Sequence, residues 1–232
     1  MNKIHKTAIV DEEVTIGSHN VIGPNVVIEN GVTIGSRNHI HPGVVIFKGT
    51  TIGDGNVIHT GAVLGDIPQD IGFEGTDSYL VIGSGNRIRE YCTIHRGTKA
   101  STSTVIGDDN FLMGYTHVAH NCRIGSGIVT VNTAVLGGYV TVEDKAFISA
   151  SVVIHQHCRV GTFAMVSGLS AVNQDVPPYM TAGGRPARVF SLNSVGLRRG
   201  GFSPEVRTDI KRVFKLLYKS GLRVKKALEE IA

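Results

Sequence analysis

The segment IGSHNVIGPNVVIENGVTIG (residues 16–35) places isoleucine at 16, 22, 28 and 34, and an aliphatic residue recurs at every sixth position far beyond it. The register begins at Ile4 and Val10 and continues through Ile40, Ile46, Ile52, Ile58 and Leu64. It resumes at Ile82, Ile88 and Ile94, and runs from Ile106 to Val172 with Thr130 as its one exception. Neither a helix, at 3.6 residues, nor a half-buried strand, at two, produces a period of six. A short strand followed by a corner does: one aliphatic side chain points into a narrow core, then the backbone bends. Glycine commonly follows the aliphatic residue, as in Ile16-Gly17, Ile34-Gly35 and Ile52-Gly53, and reads as the residue that permits the bend. The pattern predicts an all-β parallel β-helix of hexapeptide repeats, in which three hexads close a triangular coil of 18 residues.

About nine such coils span Ile4 to Val172, giving a prism roughly 45 Å tall at ~4.8 Å per stacked strand. A coil cannot bury its core alone, so stability comes from stacking neighbours. Handedness is not legible in the residues; proteins built from hexapeptide repeats coil left-handedly, against the usual crossover rule. The β-helix is placed at 1–178, interrupted by two stretches without the aliphatic spacing, 66–79 (DIPQDIGFEGTDSY) and 97–103 (GTKASTS), read as loops extruded from the prism. Loops carried on a rigid scaffold commonly hold function. Pro177-Pro178 ends the repeat, and 179–232 reads as an irregular segment followed by helices. Ser203 caps the first with Pro204 at its first position, and Gly221 separates it from a second near Val224–Ile231.

Three cysteines at unpaired spacings argue against a disulfide framework, and the N-terminus lacks an apolar run long enough for a signal peptide or a membrane span. A cytoplasmic location is expected. The net charge of +4 conceals an asymmetry: from Arg185 onward there are 12 Lys or Arg against 4 Asp or Glu. A basic end points to a polyanionic partner such as a phosphorylated small molecule or an acidic carrier protein. Aromatic residues suited to base stacking are scarce there, which disfavours nucleic acid.

The 18-residue coil also predicts neighbours. His120, Gly138 and Gln156 form one column, flanked by Gly137 and His155 on one side and Asn121, Tyr139 and His157 on the other. His117, His120, Tyr139, His155 and Gln156 are therefore gathered on one region of the surface. A histidine poised near neutral pH can take a proton from a hydroxyl or neutral amine as it attacks a carbonyl, typically worth ~100- to 10,000-fold in rate. A zinc site of the kind γ-class carbonic anhydrases build from three histidines needs two of them about five residues apart; His117 and His120 are three apart, so no metal is expected.

The segments GDIPQD (65–70), NRIREYCTIHRGT (86–98), FLMGYTHVAHNC (111–122), NTAVLGGYV (132–140), VIHQHCRVG (153–161), NQDVPPY (173–179) and SLNSVGLRRGGFS (191–203) resemble the UDP-N-acetylglucosamine acyltransferases. The resemblance covers nearly the whole chain. It implies transfer of a 3-hydroxyacyl chain from acyl carrier protein to a nucleotide sugar, the first step of lipid A synthesis, by a homotrimer with sites between neighbouring prisms. It implies no cofactor; the donor is the phosphopantetheine thioester of the carrier. By matching positions, His120 is the general base, oriented by the Gly138 carbonyl, and the Gly138 amide helps to hold the oxyanion. His117, His155, Gln156 and Asp70 match sugar and nucleotide contacts, Asn193 and Arg199 match nucleotide and phosphate contacts, and Gly168 sits where bulk would shorten the acyl pocket. Tyr139 lies in the sugar-facing column.

The chain departs from the family pattern at four places. Gly72 replaces a lysine, Tyr139 a histidine, Val195 an acidic residue, and Gly200 the second arginine of a pair. Two alternatives stay open at this point. One is an amine acceptor, such as the 3-amino derivative of the same nucleotide sugar. The other is an acyl-coenzyme A donor acting on a different nucleotide amino sugar, suggested by GGRPARV (183–189), which is similar to a turn of coenzyme A-dependent acetyltransferases.

Overall fold

The computed structural model describes residues 1–231 as a triangular parallel β-helix with a helical tail. Each coil contributes a strand of two to four residues to each of three sheets, and residues 18 apart pair across the stack, as Val21 with His39 and Val135 with Val153. Sheet A holds eleven strands, from Lys3–Ile4 to Ala187–Leu192. Sheet B holds nine, from Ile9–Val10 to Ala171–Val172, and sheet C eight, from Thr15–Ile16 to Arg159–Val160. The aliphatic sixth-position residues from Ile22 to Val172 form one continuous core, with Ile40, Ile46, Ile58, Ile88 and Ile94 fully buried. Burying one such side chain contributes about 1.5–3 kcal/mol.

The corners obey a finer rule than the glycine spacing suggests. Gly17, Gly35, Gly53, Gly83 and Gly107 do not carry the bend; their φ angles are not positive. A Cβ on Gly17 would stand 2.7 Å from the Gly35 carbonyl of the coil above, so these glycines let stacked corners touch. The left-handed residue comes two positions later, at His19, Arg37, Gly55, Gly85 and Asp109, and side chains occupy it often despite the usual preference for glycine. On this corner, between sheets C and A, buried asparagines form a ladder. Asn20 Oδ1 accepts from Asn38 N–H, Asn38 from Asn56, Asn56 from Asn86 and Asn86 from Asn110, all at 2.8–2.9 Å. Each amide thus satisfies backbone donors that the turn would otherwise leave unpaired in a dry place.

Two insertions leave the coil, and both do so between sheets B and C. Sheet-B strands at Leu64 and Ile94 pair 30 residues apart, and Ile94 and Val118 pair 24 apart, in place of 18. The excess residues form loops, 67–78 and 96–102 by the strand bounds, so Asp66, Tyr79 and Ser103 belong to strands rather than to the loops.

The β-helix does not stop at Pro178. Met180–Gly184 pairs in parallel with Met165–Val166 and then antiparallel with Ala187–Leu192, so a hairpin occupies part of the segment expected to be irregular. The reversal of strand direction ends the parallel ladder, which is why the hexad spacing vanishes there. Helix α1 (Ser194–Arg199) follows, then α2 (Pro204–Tyr218), capped by Ser203, and α3 (Val224–Ile231). Phe163, Tyr179 and Phe202 dock the tail through edge-to-face and stacked rings, with centroids 5.0–6.5 Å apart.

Replacing Asn56 by alanine would strand the Asn86 N–H and the Gly83 carbonyl, which Asn56 Nδ2 meets at 3.0 Å. At about 1–3 kcal/mol per stranded buried group, a loss of roughly 2–5 kcal/mol is expected. Urea unfolding should show that drop for N56A and little change for N2A, at the exposed end of the ladder.

Candidate functional site

The corner between sheets B and C carries the histidine column and both loops. His120 is the middle residue of its turn, and its ring fits because residue 138, one coil above, is glycine: a Cβ there would stand 2.6 Å from His120 Nε2. Tyr139 packs edge-on against His120 at 5.3 Å and stacks on His157 at 4.8 Å. The two loops close over this column from below. Loop 67–78 brings Asp70 Oδ2 to 3.9 Å from His120 Nε2. Loop 96–102 brings Thr98, whose Oγ1 lies 3.1 Å from the Tyr139 hydroxyl.

The hydrogen bonds fix the state of His120. The Thr98 backbone N–H, which can only donate, meets Asn121 Oδ1 at 3.0 Å. That atom is therefore an acceptor, and His120 Nδ1, 3.1 Å from it, must carry a proton. The neutral ring then has its lone pair on Nε2, on the side facing Asp70. The expected orienting contact, from the Gly138 carbonyl, is not the one made. That carbonyl accepts the His157 N–H at 3.0 Å, in the coil-to-coil ladder, and Asn121 orients the ring instead. The Gly138 N–H makes no hydrogen bond among the described residues. An imidazole lone pair facing a carboxylate can move a proton, and the Gly138 amide, against the same ring, is a donor left over for a developing anion.

Beneath His120 lies a drier pair. His117 Nδ1 meets Thr93 Oγ1 at 2.7 Å, and its ring stands edge-on to His95 at 5.1 Å. Burial lowers the pKa of His117, with His120 adding a smaller repulsion. His95, only 4% exposed, is lowered to about 4 by burial first and His117 second. Its Nδ1 lies 3.3 Å from the Gln69 N–H, so the neutral ring anchors the loop that carries Asp70. Arg96, also buried, holds the same loop by placing its guanidinium 5.8 Å from the Phe73 ring centre. Among the described residues no cluster suited to a metal ion occurs.

Sequence reasoning gathers His117, His120, Tyr139, His155 and Gln156, and the structure sets them on this one corner, with His155 and Gln156 exposed at its upper edge. Asp70 joins them through its loop. The columns include Asn121 without giving it a role, and they leave out His95 and Thr98; the signal for His95 is its step of 22 residues before His117, one widened coil lower. Gly168, Asn193 and Arg199 are not part of this cluster. Gly168 lies at the corner between sheets A and B, exposed, where a Cβ would meet no atom closer than 3.4 Å. Asn193 caps α1 by accepting from Gly196 N–H at 2.9 Å and donates to the Phe163 carbonyl at 2.8 Å. Asn193 and Arg199 line a cavity of about 750 Å³ against sheet A and the corner between C and A. The GGRPARV turn tops the A–B corner, where Arg185 Nε donates to the Leu169 carbonyl at 2.7 Å.

Comparison with known proteins follows the same division of the chain. Residues 13–48 match the bacterial transferase hexapeptide family, and residues 175–232 match a family described as UDP N-acetylglucosamine O-acyltransferase, domain 2. An acyl-(acyl-carrier-protein)–UDP-N-acetylglucosamine O-acyltransferase of Halorhodospira halophila is 45% identical over 232 residues, covering 100% of this chain and 90% of that protein. The same-named protein of Synechocystis is 44% identical over 73% of this chain, an alignment that spans 61% of the relative. Among solved structures, the UDP-N-acetylglucosamine acyltransferase of Bacteroides fragilis superposes with a TM-score of 0.96 at 42% identity, covering 98% of this chain and 89% of that one. The Francisella novicida enzyme gives 0.94 at 40% identity, over 98% and 84% of the two chains.

The depressed pKa of His95 has a thermodynamic consequence. The folded ring stays neutral to about pH 4, whereas the unfolded one takes up a proton near 6.5. Stability contributed by the neutral ring is complete above pH 6.5 and is lost as pH falls from there toward 4. Denaturation midpoints measured across that window should fall for the wild type and flatten in His95→Gln.

Proposed function

The chain belongs to the acyl-(acyl-carrier-protein)–UDP-N-acetylglucosamine O-acyltransferase family, and from that premise we propose that it moves a 3-hydroxyacyl chain from acyl carrier protein to the 3-hydroxyl of UDP-N-acetylglucosamine, with His120 as general base. The observation that carries this reading is the His120 tautomer: Asn121 holds the proton on Nδ1 and leaves the Nε2 lone pair beside Asp70. The acceptor hydroxyl gives its proton to Nε2 as its oxygen attacks the thioester carbonyl. The oxyanion of the tetrahedral intermediate lies by the Gly138 N–H. Collapse breaks the C–S bond, and the imidazolium returns its proton to the departing pantetheine thiolate. Asp70, 3.9 Å from Nε2, offers a carboxylate to the sugar.

The scattered positions of the other residues support a cyclic homotrimer. The base sits on the B–C corner, Gly168 on the A–B corner, and Asn193 and Arg199 by sheet A. A chain whose sugar, acyl and nucleotide contacts face three ways completes a site only against another copy. The basic α2 and α3, with Arg207, Lys211, Arg212, Lys215, Lys225 and Lys226, suit an acidic carrier protein. No helix among the described residues is long and apolar enough to cross a membrane.

A second acceptor is favoured by one feature. Gly72 donates its N–H to Asp70 Oδ1 at 2.9 Å where the family carries a lysine, so the carboxylate lacks a cation of its own. That environment suits an acceptor that can itself carry positive charge, as the 3-amino analogue does.

The test offers 3-hydroxyacyl carrier proteins, and acyl-coenzyme A in parallel, to UDP-N-acetylglucosamine and its 3-amino analogue, with products read by mass. Transfer from the carrier protein to the hydroxyl sugar is expected. Transfer confined to the amine, or to the coenzyme A donor, would replace this reading with the corresponding alternative. Gly138→Ala, which drives a methyl into the His120 ring without demanding a left-handed backbone, should stay folded and lose about 100-fold or more in kcat. His120→Ala with near-normal turnover would rule out the proposed base.

A further inference from the structure

The cavity of about 750 Å³ beside α1 is lined by Lys145, Phe163, Asn193, Arg199 and Gly200 above a floor that includes Gly127. Two cations border it, and among the described residues neither Lys145 nor Arg199 takes part in an ion pair. The geometry points to Lys145 as a phosphate-binding residue, the second cation of a nucleoside-diphosphate subsite whose first is Arg199. The inference rests on the nucleotide-sugar reading above and goes beyond it by assigning a residue on the β-helix itself.

Three local facts place the charge on Lys145. Position 200, where the family's second arginine stands, has no room for a side chain while the Phe163 ring keeps its place: a Cβ on Gly200 would collide with it. Phe163 occupies that space because its ring also packs edge-on against Phe202, 5.0 Å away, where the tail docks. With Phe163 in place, a second cation for the same ligand comes from the other wall. Gly127, Lys145 and Phe163 are stacked left-handed residues on successive coils, with φ of 64°, 60° and 54°. Lys145 folds down over Gly127, where a Cβ would strike its ammonium group, so the glycine makes room for the lysine stem to lie along the cavity floor. Most of the cavity's remaining wall is apolar, including Phe147, Met165 and Leu192. A ring against the apolar wall with phosphates toward two unpaired cations is the division such a pocket suits.

The test is titration calorimetry of the full chain with UDP-N-acetylglucosamine at low and high salt. Lys145→Met keeps the stem and removes the charge; as an exposed residue it should leave the melting temperature unchanged. The expected result is about tenfold weaker binding at low salt, a shallower salt dependence, and recovery in Lys145→Arg. Arg199→Met should weaken binding comparably. Wild-type affinity and salt dependence in Lys145→Met, beside a weakened Arg199→Met, would overturn the assignment and leave the nucleotide-sugar reading intact. No binding by the wild-type protein would overturn that reading, and this inference with it.

Discussion

Everything in this molecule hangs on the vertical contact between residues one coil apart. Backbone N–H groups meet carbonyls of the next coil at 2.8–3.1 Å on all three faces, and the corners are joined by the same vertical logic. Ser36 N–H is held by Asp54, Asp54 by Ser84, Ser84 by Asp108, Asp108 by Ser126 and Ser126 by Asp144. A coil that gained one residue would turn its aliphatic side chain away from the core and break every rung above. The two insertions avoid this because each adds a whole number of hexads, 12 and 6 residues beyond the coil of 18. Both leave from the B–C corner, so the scaffold stays rigid while one edge acquires adjustable chain.

That edge is where the proposed chemistry gathers. The column gives His120 its neighbours, but the groups that direct its ring, as the proposed base requires, come from the insertions. Thr98 fixes Asn121, Asn121 fixes the proton on Nδ1, and the other loop brings the carboxylate that faces Nε2. Neutral His95 and the buried Arg96 guanidinium hold that second loop down. Preorganisation here is a chain of hydrogen bonds between a stiff prism and two short loops, with little that must move before a proton can.

The period of six made the core, the coil and the columns legible, because burial of one aliphatic side chain per hexad is a property of single positions. Other features depend on pairs of positions in different coils and leave weaker traces. The glycine that commonly follows the aliphatic residue looked like a hinge, yet Gly17 and Gly35 serve close approach, and the hinge lies two residues on at His19 and Arg37. The asparagine ladder is visible as Asn20, Asn38 and Asn56 at steps of 18, and is then displaced by the insertions to Asn86 and Asn110. The hairpin at 180–192 was hidden because antiparallel pairing has no use for a hexad. Asn121 was in plain sight next to His120; what the sequence lacked was the Thr98 amide that makes its carbonyl oxygen face the ring.

A solenoid separates what must be conserved in shape from what can vary in charge. The inward aliphatic position admits little change, since its neighbours above and below are equally dry. The left-handed corner position is different: its side chain lies over the coil beneath, and only the residue beneath must give way. Asp109 rests over Gly85 and Lys145 over Gly127 on this principle. Charge can therefore be placed on a corner by one substitution and one glycine, without disturbing the core. The tail imposes a different constraint, because Phe163 and Phe202 must pack for α1 to sit where Asn193 caps it. Where that packing closes Gly200 to a side chain, a corner of the prism is the nearest element free to carry a cation, and the cavity between them inherits its polarity from both.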